Sequence, residues 1–311
     1  MRLVFFGTPQ TAVPSLEALL DAGHEILSVV TRPDRPVGRS GRPAGPPIKR
    51  VAVERGLEVR QPGSLRRGTL EQELREGRPD LLVVVAYGRI FPPSLLELAP
   101  HGAVNLHFSL LPKYRGAAPV QWSLACGERT TGVTTMRMNE QLDEGDLLLR
   151  REIAIEEGEH APALAARLAG IGAALLVETV RGLEAGSLES HPQDHARASL
   201  APILTAEESE LDPSLTAREV EGRIRGFDPW PGVWARRQGK RIRLVEAREL
   251  PGETSAAPPG TVTELRRDGL LLACAGGSLL SLQRLQPEGR RPMRAADAVN
   301  GRQIAPGDRL G

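Results

Sequence analysis

Cysteine is almost missing. Cys126 and Cys274 are the only two in 311 residues. Neither has a second ligand nearby at zinc spacing, which argues against a zinc site, and two thiols cannot build a disulfide scaffold. Long apolar runs are missing too. The most apolar stretch, residues 81–86 (LLVVVA), falls far short of the ~18 residues a membrane span needs. The first residues, MRLVFFGTPQ, run straight into a strand-like segment and lack a signal-peptide layout, so a cytoplasmic location without membrane attachment is expected. Net charge is only +1, which excludes a globally basic nucleic-acid binder. Lysine is scarce: Lys49, Lys113 and Lys240 are three of 40 basic residues, a bias uniform enough to reflect genome composition. Hydrophobic residues at 40% and charged residues at 25% exclude a disordered or collagen-like chain.

The charge that is present is uneven. Residues 31–50 hold Arg32, Arg35, Arg39, Arg42, Lys49 and Arg50 against Asp34, a local net of +5. Residues 223–311 carry sixteen basic against nine acidic groups, a net of +7, and residues 203–221 a net of −5. Solvated faces account for such runs by default. Two basic regions around an acidic one also suit parts of one anion-binding surface.

Periodicity orders the chain. Residues 2–6, 25–31, 81–86 and 103–107 read as buried strands, 132–138 and 147–155 as further strands, and 13–22, 49–55 and 161–184 as helices. Strand–helix–strand units with short links predict a parallel sheet, and the structureless 32–47 stretch inside one of them is long enough to be functional. Gly, Ser, His and Pro cluster without periodicity near 186–205, which sets an expected linker at 187–205 between a domain at 1–186 and another at 206–311. In the second domain one helix, 216–225, precedes short strands at 232–236, 241–247, 260–265, 269–274 and 278–285, the pattern of a small β-barrel. The fold class is therefore α/β: a Rossmann-like, open, mostly parallel sheet followed by a small OB-like β-barrel domain.

The Gly7-Thr8-Pro9 turn sits where a dinucleotide fingerprint begins, but it has one glycine where three are needed, so Gly7 reads as a tight strand-to-helix turn. Asn105 and His107 are more telling. They lie two apart at the end of a strand and so share one face, and the carboxyl ends of parallel strands line the ligand crevice. A lone histidine is more often structural, but here a rigid Pro- and Gly-framed run with two cations, residues 109–119, follows at once. Asp143, in the Leu142–Asp146 turn, is apolar-flanked and expected to point inward. An amide, an imidazole and a carboxylate form a proton-transfer set suited to attack by an amine on a carbonyl. A covalent nucleophile fits less well: Ser109 is not in an elbow context and Cys126 has no histidine nearby. Trp230 and Phe227 are expected to pack in the core, both cysteines to be buried, and His101, His160, His191 and His195 to be surface groups without partners.

The run Asn105-Leu-His107-Phe-Ser109-Leu-Leu-Pro-Lys-Tyr-Arg-Gly-Ala-Ala-Pro-Val-Gln121, with Leu142-Asp143-Glu-Gly-Asp146, resembles the 10-formyltetrahydrofolate-dependent formyltransferases. Phe6-Gly7-Thr8-Pro9, Arg32-Pro-Asp-Arg-Pro36, Val85-Ala-Tyr-Gly88 and Phe227-Asp-Pro-Trp-Pro-Gly232 narrow the resemblance to the branch acting on methionine carried by initiator tRNA. It covers residues 2 to 310. The resemblance implies catalysis by Asn105, His107 and Asp143 without a metal. It implies 10-formyltetrahydrofolate bound along Ser109, Leu110, Leu111 and Pro112 and at Ala86, Tyr87 and Gly88. Arg32, Arg35, Arg39, Arg42 and Lys49 would meet initiator methionyl-tRNA, and the enzyme would be a monomer. The 198–205 segment and the Arg-rich second domain depart from the family pattern, which bears on tRNA contacts and not on the chemistry. The alternative is a formyltransferase for another amine, a sugar nucleotide or glycinamide ribonucleotide.

Overall fold

Four segments of dense apolar sequence line up in one direction at the centre of the first half of the chain. The computed structural model describes residues 1–37, 42–66 and 69–311, with the backbone alone at Val37 and Arg42. A seven-stranded sheet has the order Leu147–Ala154, Thr130–Arg137, Ala103–His107, Leu81–Val85, Arg2–Gly7, Glu25–Val30, Val59–Arg60. The five strands from Ala103–His107 through Val59–Arg60 are parallel, and Thr130–Arg137 joins antiparallel to Ala103–His107. All five residues of Leu81–Val85 are buried, as a central parallel strand covered on both faces requires. The expected open, mostly parallel sheet is thus present.

Helix Ala161–Glu184 covers one face of this sheet. Gly172 lets it approach Leu106, since a Cβ there would lie 2.8 Å from Leu106 Cδ2. Thr179 Oγ1 lies 2.8 Å from Thr135 Oγ1, and Leu106 and Thr135 are register partners. The helix therefore occupies the face opposite Asn105 and His107. By length and composition it is the one helix among the described residues long and apolar enough to cross a membrane. Half of its most apolar window is buried inside the fold, as in a core helix.

The chain divides into two compact units. The first comprises Met1–Pro119, Thr130–Ile153 and Ala165–Pro202; the second Val120–Arg129, Ala154–Leu164 and Ile203–Gly311. Much of the stretch expected to link them is built into the first unit. His191 and Leu147 exchange backbone hydrogen bonds, and Leu200–Ala201 pairs with Arg115–Gly116. The second unit is an antiparallel sheet in the order Val233–Arg237, Lys240–Thr254, Ser278–Pro287, Gly269–Ala273, Val262–Arg266, with Met293–Arg294 alongside Ser278–Pro287. Phe227 is fully buried with Trp122 against it at 5.6 Å, as a core aromatic should be. Trp230 is 58% exposed and Cys126 is exposed, contrary to expectation. Cys274 is buried, and that burial pushes its thiol up to about 12.

Candidate active site

Register places the site. Val85 pairs with Gly7 on one side and with Leu106 on the other, so the Gly7-Thr8-Pro9 turn, the 86–88 turn and His107 all lie at the carboxyl edge of the parallel strands. That edge is where open α/β sheets bind ligands. Asn105 and His107 share the face of Met136 and Thr134, their partners on the neighbouring strand.

Asp143 comes to this pair from 38 residues away. Asn105 Nδ2 lies 3.4 Å from Asp143 Oδ1, and His107 Nδ1 lies 3.7 Å from Asp143 Oδ2. The Gly116 backbone N–H donates to Asp143 Oδ2 at 2.8 Å. The other histidine nitrogen, Nε2, lies 2.8 Å from the Tyr114 carbonyl oxygen. One ring nitrogen thus has a hydrogen-bond partner in the Tyr114 carbonyl, and the other faces the Asp143 carboxylate at ion-pair distance. His107 is 5% exposed and Asp143 nearly as enclosed, so their mutual attraction is little screened by solvent. The sequence placed these three side chains together and the structure brings them within reach of one another.

Two glycines let the surrounding loops close. Gly116 sits at φ +126°, and a Cβ there would lie 2.5 Å from the Ala201 carbonyl oxygen. At Gly145 a Cβ would collide with the Arg137 carbonyl oxygen. Between them Asp143 itself takes a left-handed backbone, φ +54°, uncommon for a residue other than glycine.

The 109–112 loop is fastened to the neighbouring strand. Thr134 Oγ1 donates to the Ser109 carbonyl at 2.7 Å and accepts from the Leu111 N–H at 3.2 Å, while Ser109 Oγ donates to the Lys113 carbonyl at 2.6 Å. Ser109 and Leu111 are fully buried; Leu110 and Pro112 are half-buried. At the 86–88 turn Ala86 and Gly88 are exposed with positive φ. Tyr87 turns the other way: its ring packs edge-on against Phe6 and Phe91, and burial pushes its phenol up. A ligand at this turn would therefore meet the backbone of Tyr87 and not its ring.

The basic loop is partly described. Arg35–Val37 and Arg42–Ala44 pair as a short hairpin. Arg39 and the side chain of Arg42 lie outside the described residues. Arg35 is exposed. Arg32 Nη1 lies 3.5 Å from the Gly88 carbonyl oxygen. Lys49 is tied to Asp34 through both carboxylate oxygens, at 2.9 and 2.8 Å, and the Gln61 amide and Lys49 together hold the Asp34 carboxyl below its usual range. In the second unit Trp234, Arg236, Arg241 and Arg243 share one sheet face, since Trp234 pairs with Arg243 and Arg236 with Arg241. The Arg241 and Arg236 guanidinium carbons lie 4.3 and 5.0 Å from the Trp234 ring centre. The alternation of buried Val233, Ala235, Ile242 and Leu244 could have revealed this face in the sequence.

Sequence reasoning missed other groups. Arg115 and Gln193 are buried beside the Asp143 turn, and His195 approaches Arg115 and Glu144 at 3.4 and 3.6 Å. His160 has a partner as well, Asp228, at 3.1 Å. The expectation of partnerless histidines fails at both. Among the described residues no cluster of three or more His, Cys, Asp or Glu side chains could hold a metal ion.

An amide, an imidazole and a carboxylate gathered at the carboxyl edge of an open parallel sheet form a set suited to attack by an amine on a carbonyl. Residues 1–180 match the formyl transferase family and residues 203–303 its C-terminal domain. The chain belongs to the formyl transferase family. It is 47% identical to the methionyl-tRNA formyltransferase of Acidobacterium capsulatum, with 100% of each chain covered. It is 49% identical to that of Anaeromyxobacter dehalogenans, with 97% of each covered. A solved structure of WlaRD, a sugar 3N-formyl transferase, has the same fold, with a TM-score of 0.67 and 15% identity over 94% of this chain and 99% of that one. The fold is therefore shared with a formyl transferase that acts on a sugar.

Proposed function

We propose that this chain transfers the formyl group of 10-formyltetrahydrofolate to the α-amino group of methionine on initiator methionyl-tRNA. The observation that carries this reading is the convergence of Asn105, His107 and Asp143 at the carboxyl edge, in a chain 41–49% identical to methionyl-tRNA formyltransferases along its whole length. The amine nitrogen attacks the formyl carbon, and the carbonyl electron pair moves onto oxygen. Asn105 Nδ2 carries two N–H donors; Asp143 takes one and the other meets the oxyanion, together with the His107 imidazole. Asp143 orients and polarises His107 and takes part in moving the proton lost by the amine. The bond from the formyl carbon to N10 of the folate then breaks, and N10 takes that proton. The 3.7 Å separation of His107 and Asp143 is an ion-pair distance, longer than a hydrogen bond.

The folate lies along Ser109–Pro112 and the backbone of Ala86–Gly88. The tRNA acceptor end meets Arg32, Arg35, Arg39, Arg42 and Lys49, and Lys49 must first part from Asp34 or engage phosphate beside it. The Trp234 face of the second unit adds phosphate contacts, which set affinity and salt dependence without choosing the tRNA. Charged initiator tRNA is a cytoplasmic substrate, and the enzyme acts there as a monomer.

The test is formyl transfer from 10-formyltetrahydrofolate to charged initiator tRNA, charged elongator methionine tRNA and an amino-sugar nucleotide, run side by side. Transfer to the initiator alone is expected. Transfer to the sugar nucleotide and to neither tRNA would overturn the assignment.

A further inference from the structure

Asp143 needs an unusual backbone to do what the proposed function asks of it. Its left-handed φ of +54° costs about 1 kcal/mol or more for a non-glycine residue, so something must hold it. The turn is held from a distant part of the chain. Gln193 Nε2 donates to the carbonyl oxygen of Asp143 at 2.9 Å and to that of Gly145 at 2.8 Å. These two carbonyls flank Glu144, so one amide group clamps both sides of the turn.

Gln193 is itself fixed. Its Oε1 accepts from Arg115 Nε at 3.1 Å and from Arg115 Nη2 at 2.8 Å. The remaining guanidinium nitrogen, Nη1, pairs with Glu144 Oε1 at 3.2 Å. Arg115 is 4% exposed and Gln193 5%. The orientation of the amide follows from its neighbours: a guanidinium can only donate and a backbone carbonyl can only accept. All four hydrogen-bonding positions of the amide are filled. Arg115 is adjacent to Gly116, whose N–H holds the Asp143 carboxylate. The same assembly thus fixes the backbone and the carboxylate of one residue.

We propose that Gln193, held by Arg115, is a positioning residue that sets the Asp143 turn and so aims its carboxylate at His107 and Asn105. The inference rests on the reading of Asp143 as part of the reacting set. Gln193 touches no reacting atom and acts through Asp143.

The test is a double-mutant cycle read by single-turnover formyl transfer to charged initiator tRNA, with KM for tRNA and folate measured alongside. Gln193→Glu keeps the acceptor for Arg115 and removes the two donors to the turn. It also sets carboxylate oxygen against two carbonyl oxygens. In the wild-type background Gln193→Glu and Gln193→Ala are expected to lower the transfer rate by on the order of 10²-fold, with both KM values little changed. In an Asp143→Asn background the same substitutions are expected to lower the residual rate no further. Equal losses in both backgrounds, or a normal rate in the wild-type background, would overturn the inference. A normal rate for Asp143→Asn alone would overturn the reading of Asp143 instead. If Gln193→Ala yields no folded protein, Gln193→Glu carries the cycle by itself.

Discussion

Thr134 shows how one side chain sets a binding loop. Its hydroxyl donates to the Ser109 carbonyl and accepts from the Leu111 N–H, so it closes two backbone groups of the proposed folate loop at once. Valine has the same shape and neither function. Thr134→Val leaves both backbone groups buried without that partner, at a cost of about 1–3 kcal/mol. The expected result is a raised KM for 10-formyltetrahydrofolate with the KM for tRNA nearly unchanged. A rise for tRNA alone would detach this loop from folate. Gln193 is the other residue whose role is set by chemistry at a distance. It lies in a stretch without periodicity, and its partners Arg115 and Asp143 are 78 and 50 residues away. Nothing local in the sequence signals it, whereas Asn105 and His107 are two apart on one strand and could be read directly.

At the scale of elements, helix Ala217–Gly226 begins with a reciprocal cap. The Thr216 side chain accepts from the Glu219 N–H, and the Glu219 carboxylate accepts from the Thr216 N–H at 2.8 Å. Thr216→Ala is expected to lower unfolding stability by about 1 kcal/mol, measured by denaturant titration, and to leave transfer unchanged. An unchanged midpoint would show that tertiary packing alone holds the helix start. That helix and the helix Ala161–Glu184 were legible because their apolar positions recur with helical spacing over many residues. Arg2–Gly7, Glu25–Val30, Leu81–Val85 and Ala103–His107 were legible as apolar runs bounded by turns, whereas Arg35–Val37, Arg42–Ala44 and Val59–Arg60 are too short to register. Leu70–Glu76 was not, because only Leu70 and Leu74 of its seven residues are buried. Lys240–Thr254 was read as half its length: after Ala247 no residue of that strand is buried, so the pattern that marks a strand is lost. Arg115–Gly116 and Leu200–Ala201 form a two-residue pairing between distant segments, too short for any period to register.

At the scale of the molecule, a net charge of +1 hides a division of labour. The second unit collects basic groups on one sheet face around Trp234, while its other face packs Val233, Ala235, Ile242 and Leu244 into the core. If that face contacts tRNA phosphates, Arg241→Gln weakens tRNA binding at every sequence and lowers the slope of log affinity against log salt by about one. Filter binding at several salt concentrations reads this slope. An unchanged slope would remove Arg241 from the tRNA surface and leave the chemistry of the first unit untouched.

If Asn105, His107 and Asp143 carry out the transfer and do not merely shape the carboxyl edge, their loss slows the chemical step itself. The most direct measurement is the single-turnover rate of formyl transfer from preformed enzyme–folate–tRNA complexes, comparing the wild type with His107→Ala and Asp143→Asn. Both variants are expected to remain folded and bind both substrates, with transfer slowed by about 10² to 10⁴-fold. A transfer rate near that of the wild type from either variant would contradict this role.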